Sequence, residues 1–282
     1  MATTLLTALI VINKAREKDL SKFSLVGRNQ PRVNEVGDPL DKFIKDALCG
    51  SFFAYSQQRN ERYDEEFSHY GDQNNPPDII IRNSDAIEVK KVGMESSELQ
   101  LNSSYPKSKL MSDDLMLTEQ CRNCEGEKGW KEKDMVYAVG HVDRGNILRV
   151  LTFVYGDCFV ANTKLYKEVR ENLVKEIKSL NFPFSETKEL GRMNKIDPSE
   201  VTKLRIRGMW IIKSPLKVFS DIMKPSENQT SVFTLMRKKK YESFGRNEAS
   251  LIEKEMDVRD VKIKDPDNLK KLIDAKLISF YY

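Results

Sequence analysis

The chain has 282 residues, 39% of them hydrophobic and 32% charged, and its 47 basic and 43 acidic side chains leave a formal charge of +4 at pH 7. That balance excludes a disordered or fibrous chain and predicts a compact fold, as one large domain or two small ones. The charge is too mild to signal an anionic partner by itself, so any such binding must come from how basic residues are grouped.

The first apolar run, LLTALIVI at 5–12, lacks a basic flank before it and a small-residue cleavage site after it, and is too short to cross a membrane. MATTLLTALIVINKAREKD therefore reads as an opening helix, with no membrane partner expected. GDPLDKFIKDALCG carries strong helix signals: Asp38 as N-cap, Pro39 at the first helical position and Gly50 as terminator. Leu40, Phe43, Ile44, Ala47 and Leu48 then fall on one face. Residues 51–75 turn polar and aromatic and end in GDQNNPP, a loop by composition.

PPDIIIRNSDAIEVKK at 76–91 reads as a hairpin, and beyond it KVGMESSELQLNSSYPKSKLMSDD has no sustained period, so a long irregular connection or a set of short elements is expected. DMVYAVGHV at 134–142 and NILRVLTFVYGDCFVA at 146–161, joined by DRGN, predict neighbouring strands. TKLYKEVRENLVKEIKSL repeats Leu165, Val169, Leu173, Ile177 and Leu180 at helical spacing and predicts an amphipathic helix. Past Ser179 the pattern weakens, and EASLIEKEMDVRDVKIKDPDNLKKLIDAKL reads as helical segments broken at Pro266. Helix, hairpin, two strands and helix in that order predict an α/β core with a mixed sheet. Residues 1–180 would form it with the N-terminal helices, and 181–282 would be a less regular part integrated in the same domain.

Cysteines at 49, 121, 124 and 158 lack the dense even spacing of a disulfide scaffold, which suits a reducing cytoplasm. Cys121 and Cys124 have no second pair at zinc spacing, and His69 and His141 are isolated from them, so free thiols are expected. No organic cofactor is signalled. Trp130 and Trp210 read as core or interface anchors. Basic clusters occur at Lys107 and Lys109, at Arg205 and Arg207, and at Arg237–Lys240, the last read as a solvated face.

The hairpin is chemically unusual. Ile79 and Ile81 alternate with Asp78 and Ile80, and Ile87 and Val89 alternate with Glu88 and Lys90, so the apolar faces coincide only if residues of equal parity pair. An odd loop, Asn83-Ser84-Asp85, would pair 81 with 87, 79 with 89 and 78 with 90. Asp78, Glu88 and Lys90 then share one face, and Asp85 is merely a loop residue. Two carboxylates about 4 Å apart at an effective dielectric near 20 repel by roughly 4 kcal/mol. A positive charge must compensate: Lys90 is one source, and Mg²⁺, which takes hard oxygen ligands, is another. Flanking acids favour charged Lys90, making it an electrostatic stabiliser that positions water rather than a general base. The bland alternative is a surface salt bridge between Asp78 and Lys90.

PD followed by E-x-K in the next strand, behind an amphipathic helix, resembles the PD-(D/E)xK nuclease superfamily, whose restriction-endonuclease-like core is a mixed central sheet flanked by helices. The blocks NEVGDPLDKFIKDALCGSF, NPPDIIIRNSDAIEVKKV, LNSSYPKSKL, LTEQCRNCE, ETKELGRMNKIDP and RIRGMW resemble the NgoPII-type type II restriction endonucleases, from about Asn34 to Trp210. The resemblance implies a Mg²⁺-dependent enzyme that cuts both strands of duplex DNA at a palindrome, GGCC for this type. Asp78 and Glu88 would be metal ligands and Lys90 the catalytic lysine. A further acid on the first core helix would come from Glu35, Asp38 or Asp41, although Asp38 is better explained as a cap and Asp41 as its capping-box-like partner.

A palindrome asks for a two-fold homodimer. Guanine O6 and N7 call for arginine or lysine donors, for which Arg192, Lys195, Arg205 and Arg207 come first and Lys107 and Lys109 next. A repair or structure-directed nuclease on the same core, or a non-catalytic DNA-binding protein, are the competing readings.

Overall fold

The computed structural model describes residues 3–15, 39–72, 75–93, 98–126, 129–145 and 147–282. Among the described residues, three helices come first, α1 (Leu5–Ala15), α2 (Pro39–Cys49) and α3 (Ser56–Glu66), then strands β1 (Phe67–Asp72), β2 (Asn75–Ile81) and β3 (Ala86–Val92). Short strands β4 (Glu98–Gln100) and β5 (Lys109–Met111) and the single turn α4 (Glu119–Arg122) lead to β6 (Glu132–Val142) and β7 (Leu148–Tyr155). There follow α5 (Gly156–Phe159), α6 (Thr163–Lys178), β8 (Phe184–Ser185), β9 (Gly191–Met193), β10 (Leu204–Ile206), β11 (Ile211–Lys213) and α7 (Pro215–Val218). The chain ends with β12 (Ser231–Arg237), α8 (Lys238–Glu242), α9 (Arg246–Glu255), β13 (Asp257–Asp265) and β14 (Asn268–Tyr281).

A nine-stranded sheet runs in the order β1-β2-β3-β6-β7-β12-β14-β13, with β5 added to β6. β3 is parallel to β6 and β7 to β12, and the other pairs are antiparallel. This is the mixed sheet flanked by helices that the sequence predicts. Strands β8, β9 and β10 make a separate small sheet, and β11 pairs with β4.

α1 is buried on almost every side, as an all-round apolar helix must be. Thr4 and Thr7 cap it reciprocally, each backbone N–H donating to the other's hydroxyl at 2.9 and 3.2 Å. The predicted face of α2, Leu40 through Leu48, packs into the main core with Ile79, Ile81 and Ile87. Gly140 on β6 lets it approach, because a Cβ there would lie 2.7 Å from the Leu40 methyls. The opposite face of the sheet carries Ile80, Ala86, Tyr137 and Val139 under Leu99, Leu101, Leu110 and Trp210. Trp210 meets Tyr105 and Tyr166 edge-on. No helix among the described residues is long and apolar enough to cross a membrane.

Several expectations are corrected. GDQNNPP is not a loop throughout, since its two ends belong to β1 and β2, and the polar stretch before it holds α3. Asp46, buried on α2, anchors α3 by accepting from Arg59 Nε at 2.7 Å and Tyr63 O–H at 2.8 Å. The region after α9 is not helical: β13 and β14 form a long hairpin with Pro266 in its turn, and Ala275–Tyr281 of β14 complete the sheet against β12. Helix α6 forms as predicted, but Leu165, Val169, Leu173 and Leu180 are exposed, while Tyr166, Arg170, Val174 and Ile177 turn inward.

Arg237–Lys240 is not a purely solvated face. Lys240 Nζ lies 2.7 Å from Asp85 Oδ1 and 2.8 Å from Asp134 Oδ2, and Arg237 lies 2.8 Å from Asp157. Asp85 is accordingly no idle loop residue: it is 2% exposed and also accepts from Tyr155 O–H at 2.6 Å. Burial lifts its carboxyl above the usual range even against Lys240. Burial lowers Lys240 too, but Asp85 and Asp134 more than reverse this. One ammonium shared at hydrogen-bond distance by two acids is a charged lysine.

Candidate active site

The hairpin tip is one residue earlier than predicted. Ile79 pairs with Ile87 and Ile80 with Ala86, so the loop is Arg82-Asn83-Ser84, closed by Ile81 N–H on the Asp85 carbonyl at 2.9 Å. Asn83 takes the left-handed position at φ 57°, which asparagine tolerates. The loop remains odd, so the parity argument survives the shift: Asp78, Glu88 and Lys90 share one face, and continuing the register sets Asp78 opposite Glu88 in place of Lys90. Glu125, after α4, holds this tip. Its oxygens accept the Asn83 N–H at 3.0 Å, and Ser68 O–H and Lys133 Nζ reach it at 2.8 and 2.9 Å.

Lys90 Nζ lies 2.7 Å from Glu88 Oε1, so its ion pair is with Glu88 and not with Asp78. The Val89 N–H donates to Asp78 Oδ2 at 2.7 Å. Burial first, and then the charge of Glu88, push the Asp78 carboxyl up to about 7 against Lys90 and the Val89 amide. Burial lowers Lys90, but the charges of Glu88 and Asp78 outweigh it and hold the ammonium above its usual range. A charged lysine therefore faces two acids whose mutual repulsion one cation does not cancel.

Glu88 opens into a narrow cleft walled by Pro76, Pro77, Ser104, Tyr105, Lys107 and Tyr137. β6 supplies Tyr137 because the parallel register sets it beside Glu88. Lys107 is on this wall and only 4% exposed; its ammonium meets the Ser104 hydroxyl, the Tyr105 carbonyl at 3.3 Å and Asp114 at 3.5 Å. A wider groove of about 640 Å³ lies between α6 and residues 186–190. Its acids are flanked by lysines on a helix and a loop, with no paired carboxylates on adjacent strands, so the chemistry favours the narrow cleft.

Of the acids considered for the first helix, Glu35 and Asp38 lie outside the described residues. Asp41 sits on α2, bonded to Lys45 at 2.7 Å, and close enough to raise Asp78 slightly. No group of three or more His, Cys, Asp and Glu able to hold a metal occurs among the described residues. The hairpin offers two hard carboxylates, one of them with its affinity for a proton raised by burial and then by the charge of its neighbour. That donor set suits a hard divalent cation that completes its shell with water and phosphate oxygens.

The candidate DNA-contacting residues divide. Arg205 on β10 stands directly across from Arg192 on β9, and both are exposed. Arg205 and Arg207 share Glu189, each through Nε at 2.8 Å. Lys195 is exposed beside Glu200, and Lys109 is paired with Glu132 at 2.7 Å and Asp134 at 3.6 Å. Lys107, by contrast, reaches the cleft and not the outer surface. Glu189 was not singled out by the sequence, because nothing in ETKELGRM ties an acid to arginines sixteen and eighteen residues later.

The four cysteines form no disulfide. Cys121 and Cys124 share a hydrogen bond that lowers the Cys124 thiol and raises that of Cys121. His141 is 2% exposed, with no partner for either ring nitrogen, and burial pushes it down to about 4.

Residues 3–267 match the family described as NgoPII restriction endonuclease. The chain is 41% identical over 254 residues to the type II restriction enzyme NgoPII of Neisseria gonorrhoeae, covering 89% of this chain and 90% of that protein. No solved structure matches.

Proposed function

Because the chain belongs to the NgoPII restriction endonuclease family, and so is a site-specific DNA nuclease, we propose that it acts as a homodimer on GGCC in duplex DNA, with Mg²⁺ at Asp78 and Glu88. The observation that carries this reading is the shared strand face of Asp78, Glu88 and Lys90, from which Glu88 opens into the cleft.

Asp78 and Glu88 would hold the ion, whose contribution is to acidify bound water and to offset charge building on the phosphate. Glu88 is oriented for this by Lys90 at 2.7 Å, and Asp78 by the Val89 amide at 2.7 Å, so neither acid has to be ordered when the substrate arrives. Lys90, held charged, cannot take a proton. Its role is to keep the attacking water in place and to stabilise negative charge on the non-bridging phosphate oxygens. Lys107 adds a second cation on the same cleft wall.

Arg192 and Arg205 on the exposed face of the small sheet, with Arg207 just past β10, would supply the donor-rich surface that guanine O6 and N7 require, and Lys195 and Lys109 suit phosphate contacts. A two-fold site needs two such surfaces, which a pair of identical chains presents.

The experiment is supercoiled plasmid incubated with Mg²⁺ and separately with EDTA, followed by sequencing of the ends. Metal-dependent cutting at one repeated GGCC-containing site is expected. Cutting without site preference, or undiminished cutting in EDTA, would refute the reading. Sedimentation of the protein with a short cognate duplex should show two chains per duplex.

A further inference from the structure

The small sheet has an acid where a DNA-reading surface would be expected to have none. Glu189 is 8% exposed, yet its two arginine donors are far more open, Arg205 and Arg207 having side chains 61% and 59% exposed. An ordinary surface salt bridge has both partners in water and is worth little. Here the acceptor is inside and the donors are outside. One carboxylate is divided between them: Arg205 Nε is 2.8 Å from Oε2 and Arg207 Nε is 2.8 Å from Oε1.

Glu189 is itself held from several directions. Ser103 O–H donates to Oε1 at 3.1 Å, the Glu189 N–H donates to Thr187 Oγ1 at 3.2 Å, and Arg170 of α6 donates to its carbonyl at 2.5 Å. An acid so fixed transfers its order to whatever it binds. By engaging each guanidinium at Nε it leaves the terminal N–H edge, the one suited to bidentate contacts, on the exposed side. It also separates two like charges that, with Arg192 across from Arg205, would otherwise repel.

The same anchor reaches the cleft. Ser103 adjoins Ser104, which with Tyr105 and Lys107 walls the cleft containing Glu88. The segment after β10 is tied to that loop as well, by Trp210 N–H on the Asn102 carbonyl and Leu101 N–H on the Trp210 carbonyl, both at 2.9 Å. Arginine pair and cleft wall therefore hang on one short stretch, residues 101–107.

From this geometry we propose that Glu189 is a positioning residue for sequence discrimination: it aims Arg205 and Arg207 at guanine edges and, through Ser103, fixes that pair relative to the cleavage cleft. The proposal rests on the DNA-cleavage reading above. Removing the carboxylate should leave the arginines present but unaimed. Binding to DNA of any sequence would then persist, while the preference for the right sequence falls.

The test compares kcat/KM on a duplex containing the cleaved site and on duplexes with one base pair of it changed, for wild type, Glu189→Gln, the doubly substituted Arg205→Lys/Arg207→Lys, and all three changes together. Melting temperature and the salt dependence of binding are measured alongside, with Glu186→Gln, an exposed acid nearby, as control. Expected are a loss of discrimination of roughly ten-fold or more in Glu189→Gln, and no further loss when Glu189→Gln is added to the lysine pair, because its effect runs through the arginines. Discrimination unchanged in Glu189→Gln, or a loss fully additive with the lysine pair, overturns the inference while wild-type cleavage leaves the function standing. Should Glu189→Gln melt at assay temperature, the lysine pair decides alone: unchanged discrimination there also overturns it. Wild type that fails to cut DNA overturns both.

Discussion

The Val89 N–H points at Asp78 Oδ2 from 2.7 Å away, across the two strands of the hairpin. An amide on the strand of Glu88 and Lys90 thus orients the acid of the neighbouring strand. The bond favours the ionised acid, but burial and Glu88 outweigh it, so the carboxyl stays high.

That raised carboxyl gives a pH prediction. Between 3.8 and about 7 the folded protein keeps a proton on Asp78 that the unfolded chain has released, so metal-free stability falls as pH rises through that window. Asp78→Asn should remove this slope and melt higher than wild type at pH 8 without metal, while abolishing cleavage. Melting curves from pH 4 to 8 check it, and an unaltered slope in the variant would refute the assignment. Metal must displace the same proton, so Mg²⁺ affinity should weaken as pH drops below about 7.

Lys90→Ala should fold and bind DNA but lose cleavage by roughly 10²- to 10³-fold, the usual cost of one preorganised electrostatic group. Single-turnover relaxation of plasmid at saturating Mg²⁺ measures it. A variant that cuts at the wild-type rate would remove Lys90 from the mechanism.

Lys240→Met tests a buried contact that takes no part in chemistry. It strips the cation from Asp85, 3% exposed at its side chain, and from Asp134, and should destabilise by about 3 kcal/mol. Adding Asp85→Asn should recover part of the loss, because the remaining buried charge is then gone. Urea unfolding of the single and double variants provides the comparison.

Gly156→Ala probes the cleft from behind. A Cβ there would lie 2.4 Å from the Lys107 carbonyl and 2.7 Å from that of Ser108, backbone atoms with little freedom to move. The change should cost about 1–3 kcal/mol and lower cleavage by displacing the Lys107 wall, with no functional group altered. Normal activity in a destabilised protein would show that the wall is not needed.

What could be read from the residues depended on how local the controlling interaction is. α2, β6, β7 and α6 announce themselves by period, and the shared face of Asp78, Glu88 and Lys90 follows from parity alone, which is why it survives a one-residue error in the loop. The hairpin β13–β14 runs against its local pattern: Val258 and Val261, like Leu269 and Leu272, stand three apart as on a helix, and the long hairpin pairing, with Ala275–Tyr281 against β12, overrides that spacing. Asp85 and Lys240 are 155 residues apart, and no spacing rule connects them. Glu189 was hidden for the same reason, since its meaning lies in where β10 returns.

β7 and β12 are parallel partners separated by 75 residues of chain, 156–230. During synthesis, then, Val150 to Val154 emerge long before Ser231 to Leu235, and the edge of β7 stays open, its amides without their final acceptors, until nearly the whole chain is out. Truncation anywhere before residue 231 should yield a fragment that self-associates through that edge, and not a smaller nuclease.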